Sequence, residues 1–143
     1  MSLRVRFCAV RLVSTCRWRP RDLKACLDEL EQAKQILTRL KHVKISDDAP
    51  TVNRRRFKEF LRGYIRRRIG LHMIIDNLRA DSVDEELVDL ARRAENHALC
   101  VAVEHGHPEV FAFMNKGKTL EEIERAAQLN SVLFEIPHDP LWP

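Results

Sequence analysis

Three groups of residues carry the chemistry that can be read from this chain. Arg54-Arg55-Arg56 and Arg66-Arg67-Arg68, with Lys58 and Arg62 between them, form a dense basic tract. Guanidinium forks match phosphate oxygens bidentately, so Arg54, Arg55, Arg56, Lys58, Arg62, Arg66 and Arg67 are candidates for contact with an RNA backbone. The alternative is a solvated face balanced by Asp28, Glu31 and Glu59. A second group, Arg4, Arg6, Arg11, Arg17, Arg19 and Arg21, precedes the first acidic residue, Asp22. The third is His105-Gly106-His107, with His97 and Cys100 nearby and His138 distant. Imidazole and thiolate suit tetrahedral zinc, but this spacing matches no standard finger, so a turn with surface histidines and no metal is expected. No exposed aromatic platform for base stacking accompanies the arginines; any RNA would be held by its backbone.

Composition narrows the classes. The chain has 143 residues, a net charge of +4, 45% hydrophobic and 32% charged residues, enough for one self-supporting core and without a membrane-spanning apolar run. Cys8, Cys16, Cys26 and Cys100 contain no C-x-x-C pair, and the four scattered glycines match no phosphate-binding loop. Residues 1–21, rich in arginine and interleaved with Leu3, Val5, Phe7, Val10, Leu12 and Val13, have the composition of a mitochondrial targeting or docking segment. A basic surface arm is the alternative.

Periodicity supplies the elements that would position these groups. Leu23, Cys26, Leu27, Leu30, Ala33, Leu37, Leu40 and Val43 recur at three-four spacing and predict a helix from Asp22, its N-cap, to Lys44. Pro50 breaks it. A second helix is predicted from about Thr51 to about Ala80, with an apolar stripe of Phe57, Phe60, Leu61, Tyr64, Ile65, Leu71, Ile75 and Leu78 that Ile69, Met73 and Ile74 widen, and with His72 on the Leu61, Ile65, Arg68 and Ile75 face as a packed histidine. Ser82 and Glu85 read as a capping box opening a third helix to about His97, with Leu87, Leu90, Ala91, Ala94 and Ala98 inward. Cys100–Glu104 and Val110–Phe113 read as two small strands, Thr119–Leu129 as a short helix, and the proline-locked end as irregular. The expected fold is mostly α: a long antiparallel helix hairpin plus a third helix, over residues 22–104, with a small α/β C-terminal tail over 105–143.

The phrase Phe60-Leu61-Arg62-Gly63-Tyr64-Ile65-Arg66-Arg67-Arg68-Ile69-Gly70-Leu71-His72-Met73-Ile74 resembles the long bundle helix of the mitochondrial pyruvate and branched-chain ketoacid dehydrogenase kinases. Asp47-Asp48-Ala49-Pro50 is similar to the loop before that helix, and Val88-Asp89-Leu90-Ala91-Arg92-Arg93 with His97 to a later one. The likeness covers about residues 37 to 107. The family's second arginine is here His72, and its QH pair is Asn77-Leu78. Its ATP-binding half has no counterpart before Pro143.

The resemblance therefore implies a helical core without the kinase's catalytic carboxylate, its magnesium-binding asparagine or its phosphate loops. The expectation is a non-enzymatic protein without cofactors: a structural subunit of a large assembly in the mitochondrial matrix, foremost the mitochondrial ribosome, touching other proteins of that complex and rRNA backbone. Alternatives are an accessory subunit of a respiratory complex or ATP synthase, and a non-catalytic regulator or split half of a ketoacid dehydrogenase kinase.

Overall fold

The structure, a computed structural model, describes residues 18–133, apart from the side chains of His97, Ala98, Val132 and Leu133. In chain order the elements are α1 (Leu23–Ile36), β1 (His42–Ile45), α2 (Arg54–Arg67), β2 (His72–Leu78), a 3-10 turn (Ala80–Ser82), α3 (Glu85–Arg93), β3 (Asn96–Val101), α4 (Pro108–Met114) and α5 (Leu120–Leu133). The strands form one parallel sheet in the order β1-β2-β3, with His42 opposite His72 and Ile45 opposite Ile75. Alternation of strand and helix with every strand parallel is an α/β architecture, in which each helix carries the chain back to start the next strand.

Local chemistry starts and stops these elements. The Asp22, Asn53 and Asp84 side chains accept from the amides of Ala25, Arg56 and Leu87 at 2.9, 3.0 and 2.8 Å, capping α1, α2 and α3. Thr119 and Glu122 form a reciprocal box at the start of α5. The Thr119 amide donates to the Glu122 carboxylate at 2.9 Å, and the Glu122 amide to the Thr119 hydroxyl at 3.2 Å. α2 ends where Arg68 takes a left-handed conformation (φ 50°), followed closely by Gly70 (φ 63°).

One face of the sheet packs against helices. Leu27 of α1, Phe57, Leu61 and Tyr64 of α2, Leu87, Val88 and Ala91 of α3 and Ile123 and Ala126 of α5 share a core with Met73, Ile75, Leu78 and Leu99. Val43 and Ile45 of β1 pack on its edge. Burying each of the larger side chains is worth about 1.5 to 3 kcal/mol. Along β2, Met73 and Ile75 are buried while His72, Ile74 and Asp76 point the other way. That second face carries His42, Lys44, His72, Ile74, Asp76 and Cys100, and Ile74 remains 41% exposed. Parallel sheets are normally covered on both sides, and among the described residues no helix covers this second, bare face.

The mostly α expectation is corrected. The predicted first helix stops at Ile36, and Val43 sits in β1, because an apolar residue every three or four positions also fits a loop running into a short strand. The predicted second helix is cut in two: Gly70 needs positive φ, and the segment from His72 to Leu78 pairs as a strand with neighbours on both sides. Asp84 caps α3 in place of the expected Ser82–Glu85 box. The Ser82 hydroxyl instead donates to the Arg79 carbonyl at 2.6 Å and accepts from the Thr51 hydroxyl at 2.7 Å. Pro108 at the first turn makes Val110–Phe113 helical, within α4, where a strand was expected. The helix expected over Thr119–Leu129 is present as α5.

Candidate ligand site at the carboxyl ends of the strands

In open parallel sheets, ligands sit beyond the carboxyl ends of the strands, because the connecting loops there are free to vary and helix amino ends converge on them. Three loops meet at that edge here. The segment after β1 brings Asp47 and Asp48; β2 ends in Asn77-Leu78 and leads to Arg79 and Asp81; and Ala102 to Glu104 follow β3. The Asn77 amide donates to the Asp47 carbonyl at 3.3 Å, tying the first loop to the second. The Ala102 amide donates to the Leu78 carbonyl at 3.1 Å, and Lys118, from the loop before α5, donates to the Ala102 carbonyl at 3.1 Å.

Charge at this rim is arranged in opposed pairs. Arg79 clasps Asp81 through two hydrogen bonds of 2.9 and 3.0 Å, and Arg54 reaches the same carboxylate at 3.1 Å. Burial pushes against ionisation of Asp81, but Arg79 and Arg54 outweigh it and hold the carboxyl below its ordinary range. Lys116 pairs with Glu104. Burial, together with Lys116 and Arg79, pushes the Lys118 ammonium below its ordinary range.

Two of the strand-end residues are held in a conformation that non-glycine residues seldom adopt: Asn77 at φ 58° and Glu104 at φ 72°. Strained backbone of this kind persists where the surrounding structure enforces it, and it clusters at ligand sites.

Beneath the rim, on the bare face, Lys44 of β1 forms an ion pair with Asp76 of β2, which also accepts a hydrogen bond from the Cys100 thiol of β3. The three side chains cross all three strands. Lys44 and Cys100 both hold the Asp76 carboxyl below its usual range. Desolvation and then the Asp76 carboxylate push the Cys100 thiol up.

Of the sequence-derived candidates among the described residues, Arg54 reaches the rim through Asp81, and the others lie elsewhere. Lys58 bridges Asp84 and Glu86 at 2.7 Å each, Arg62 reaches Glu86, and Arg67 joins Asp28 and Glu31 at 2.7 and 2.9 Å. Arg54 meets Asp81, and Arg55 approaches Glu59 at 3.7 Å. Arg56 donates to the Arg21 carbonyl and lies over the Trp18 ring, and Arg66 is exposed. Arg67, Lys58 with Arg62, and Arg54 therefore knit α2 to α1, α3 and the 3-10 turn respectively. Of the N-terminal arginines, Arg21 pairs with Glu29 at 2.6 Å, Arg19 is described, and Arg4, Arg6, Arg11 and Arg17 lie outside the described residues. His72 opens β2 with its ring 5.2 Å from that of His42. The His107 amide donates to His105 Nδ1 at 2.9 Å.

Asp47, Asn77, Arg79, Asp76 and Glu104 were not singled out by sequence reasoning. For Asp76 and Asn77 the signal that could have found them is polar residues directly following a short apolar run, here Met73–Ile75.

A model of the radical SAM superfamily matches residues 4–131. The chain belongs to the radical SAM superfamily. The anaerobic magnesium-protoporphyrin IX monomethyl ester cyclase of Rubrivivax gelatinosus is 31% identical over 116 residues, which are 78% of this chain and 20% of the cyclase. Among solved structures, the radical S-adenosylmethionine methyltransferase TsrM from Kitasatospora setae, with cobalamin and a [4Fe-4S] cluster bound, is similar in fold. Its TM-score is 0.66 at 24% identity, over 76% of this chain and 23% of TsrM. The same enzyme with its tryptophan substrate and an S-adenosylmethionine analogue bound gives 0.64, over 76% and 22%. The chain thus spans about a fifth of the length of these relatives.

These findings overturn the dehydrogenase-kinase resemblance. The phrase from Phe60 to Ile74, which carried it, is divided between α2 and β2 and is not one bundle helix. The non-enzymatic reading falls with it, in all its forms: ribosomal subunit, accessory subunit of a respiratory complex or ATP synthase, and kinase regulator or half. The superfamily is one of enzymes.

An iron–sulfur cluster is held by cysteine thiolates. Cys26 lies on the helix side of the sheet, in a cleft with Leu30, Val43 and Met73, whereas Cys100 lies on the bare face beside Asp76. With the sheet between them, the two cannot ligate one cluster, and no group of three or more His, Cys, Asp or Glu suited to a metal ion is assembled among the described residues. The described residues therefore do not fit a cluster. Cys8 and Cys16 lie outside them.

The donor set fits S-adenosylmethionine better. That ligand carries a sulfonium, an ammonium, a carboxylate and two ribose hydroxyls. The edge offers Asp47, Asp48 and Glu104 as anions, Lys116 and Arg79 as cations, and the Asn77 side chain as a neutral donor.

Proposed function

We propose that this chain is part of the S-adenosylmethionine-binding barrel wall of a radical SAM enzyme, taking the ligand at the carboxyl ends of β1, β2 and β3. The observation that carries this reading is the convergence at that edge of Asp47, Asn77 and Glu104, the last two in left-handed backbone conformations. The superfamily match over residues 4–131 supports it.

The chain's own residues have definite tasks in this reading. Glu104 orients the ribose or the ammonium by accepting hydrogen bonds, and Lys116, which it now holds, takes the ligand carboxylate. Asn77 fixes the loop bearing Asp47, so that this loop's carboxylates face the sulfonium without rearranging. Bound S-adenosylmethionine supplies a sulfonium whose sulfur–carbon bonds are the reactive ones, the source of radical chemistry in such enzymes. The relatives act on a magnesium porphyrin ester and on tryptophan, chemically remote compounds; the shared element of the reading is the ligand and not the substrate.

Equilibrium dialysis of the full chain against S-adenosylmethionine tests it. Saturable binding that weakens at least tenfold in Glu104→Gln is expected. Saturable binding unaffected by Glu104→Gln and Asn77→Ala would place the ligand elsewhere.

A further inference from the structure

The loop between α4 and α5 grips the end of β3 at two points. Asn115 and Gly117 take left-handed backbone conformations, φ 52° and 65°, and Lys116 and Lys118 follow them in turn. Lys116 pairs with Glu104, and Lys118 donates to the Ala102 carbonyl at 3.1 Å, so the loop runs antiparallel to the segment it holds. That segment has few other ties. The Ala102 amide still donates to the Leu78 carbonyl at 3.1 Å, but beyond it the His105 amide turns back onto the Val103 carbonyl at 3.0 Å, and Glu104 sits at φ 72°.

The two lysines differ in what they hold. Lys116 has a carboxylate for its charge, whereas Lys118, only partly exposed, gives its ammonium to a backbone carbonyl. Withdrawing a cation from water without an anion beside it is costly, so its place calls for a reason. In the ligand reading, Lys116 leaves Glu104 for the ligand carboxylate, just when Glu104 must keep its aim. Lys118 bonds the main chain and not that carboxylate, and it can stay. We propose that Lys118 is the positioning residue of Glu104, tethering the strand end through the Ala102 carbonyl while Lys116 changes partner. This rests on the reading of the strand ends as the ligand site and deepens it by separating the residues that meet the ligand from the one that holds them in place.

The surroundings of Lys118 make the tether readable by titration. Among the described residues, the charged groups facing it are Lys116 of its own loop, Arg79 and Asp81 from the segment after β2, and Glu104 beyond β3. Burial first, then Lys116 and Arg79, push the ammonium below the ordinary lysine range, against the pull of Asp81 and Glu104. As pH rises through that lowered value the proton is lost. The bond to Ala102 weakens there, because a neutral amine is a poorer donor than an ammonium. An arginine in its place keeps its charge throughout.

Three measurements on the full chain test the inference. The first follows the carbonyl carbon shift of Ala102 by nuclear magnetic resonance across an alkaline pH series. It is expected to titrate with a midpoint below the ordinary lysine value of about 10.4, and to stay flat in Lys118→Arg. The second is amide hydrogen exchange without ligand. Lys118→Met, which keeps the stem and removes the donor, is expected to speed exchange at Ala102 and His105 at least tenfold and to leave Met73 to Ile75 unchanged. The third is dialysis against S-adenosylmethionine, in which Lys118→Met should bind at least fivefold more weakly. Lys118→Arg should restore both the exchange and the affinity.

An Ala102 carbonyl that does not titrate, or unchanged exchange at Ala102 and His105 in a folded Lys118→Met chain, would overturn the tether. Faster exchange with undiminished affinity would overturn the positioning of Glu104 while leaving the ligand reading standing. A parent chain that binds no S-adenosylmethionine would overturn the ligand reading; the carbonyl shift and the exchange need no ligand and decide the tether by themselves. Should Lys118→Met fail to fold, the carbonyl titration of the parent chain against Lys118→Arg decides it.

Discussion

Tyr64 and Leu71 are bonded to each other twice: the phenolic oxygen accepts from the Leu71 amide at 2.7 Å and donates to the Leu71 carbonyl. The pair closes the turn between α2 and β2, and both residues are buried. It matters because Leu71 immediately precedes β2, so the phenol fixes where the strand enters the sheet and thus the register that brings Asp76 and Asn77 to their places.

Tyr64→Phe keeps the ring and removes both bonds, leaving a buried amide and a buried carbonyl without partners. A cost of about 2 to 4 kcal/mol is expected, since each such group costs about 1 to 3 kcal/mol. Urea unfolding of the two chains measures it. A loss under about 0.5 kcal/mol would mean that water reaches Leu71 and that the phenol is not what sets the register.

Gly70 is the companion of that turn. At φ +63° its backbone strains any L side chain, and a Cβ there would lie 3.2 Å from Lys34 Nζ, which donates to the Ile69 carbonyl. Gly70→Ala is expected to destabilise by about 1 to 2 kcal/mol, the cost of the left-handed conformation. Thermal unfolding reads the change, and an unchanged or raised midpoint would show that the turn relaxes freely.

The same turn explains how far the sequence could be read. Residues with a local cause were legible: Asp22 as a cap, Leu87, Leu90, Ala91 and Ala94 as the inward side of α3 and its end, and the helix after Thr119. The strands were not, because what makes His72–Leu78 a strand is pairing with β1 and β3, whose partner residues lie about 30 positions earlier and about 23 later in the chain. Continuous apolar runs suit both a buried parallel strand and a buried helix, and Ile69, Met73 and Ile74 simply widened the expected helical stripe. The site was hidden for the same reason. Asp76 and Cys100 are unremarkable until the sheet makes them neighbours, whereas the conspicuous arginines of α2 turn out to hold helices together.

Lys58 provides a test of that structural role. It bridges Asp84, the cap of α3, and Glu86, tying α2 to α3. Burial opposes ionisation of Asp84, but the bonds from Lys58 and the Leu87 amide prevail and depress its pKa. A carboxyl depressed in the folded state contributes stability that is complete above its unfolded value, about 3.9, and is lost as pH falls through the folded value. Asp81 adds a contribution of the same sign. Melting temperature is therefore expected to hold from neutral pH down to about 5 and then to drop below about 4. Asp84→Asn, which retains a capping oxygen but no charge, should flatten the drop. An acid limb equally steep in the variant would assign it to other carboxyls.

Glu104 brings the argument to the ligand. It sits at φ 72° just beyond β3, paired with Lys116, whose side chain is largely buried against it. Glu104→Gln preserves size and hydrogen-bonding reach but removes the charge, so any loss reports electrostatic recognition more than packing. A charged hydrogen bond is worth about 1.5 to 3 kcal/mol, which corresponds to a fall in S-adenosylmethionine affinity of about tenfold to a hundredfold. Glu104→Gly, which relieves the backbone strain, should raise the unfolding midpoint or leave it level while still losing the ligand. Dialysis and thermal unfolding together separate the two effects. If Glu104→Gly binds S-adenosylmethionine as the parent chain does, the strained position serves only the turn, and the carboxylate is not part of the site.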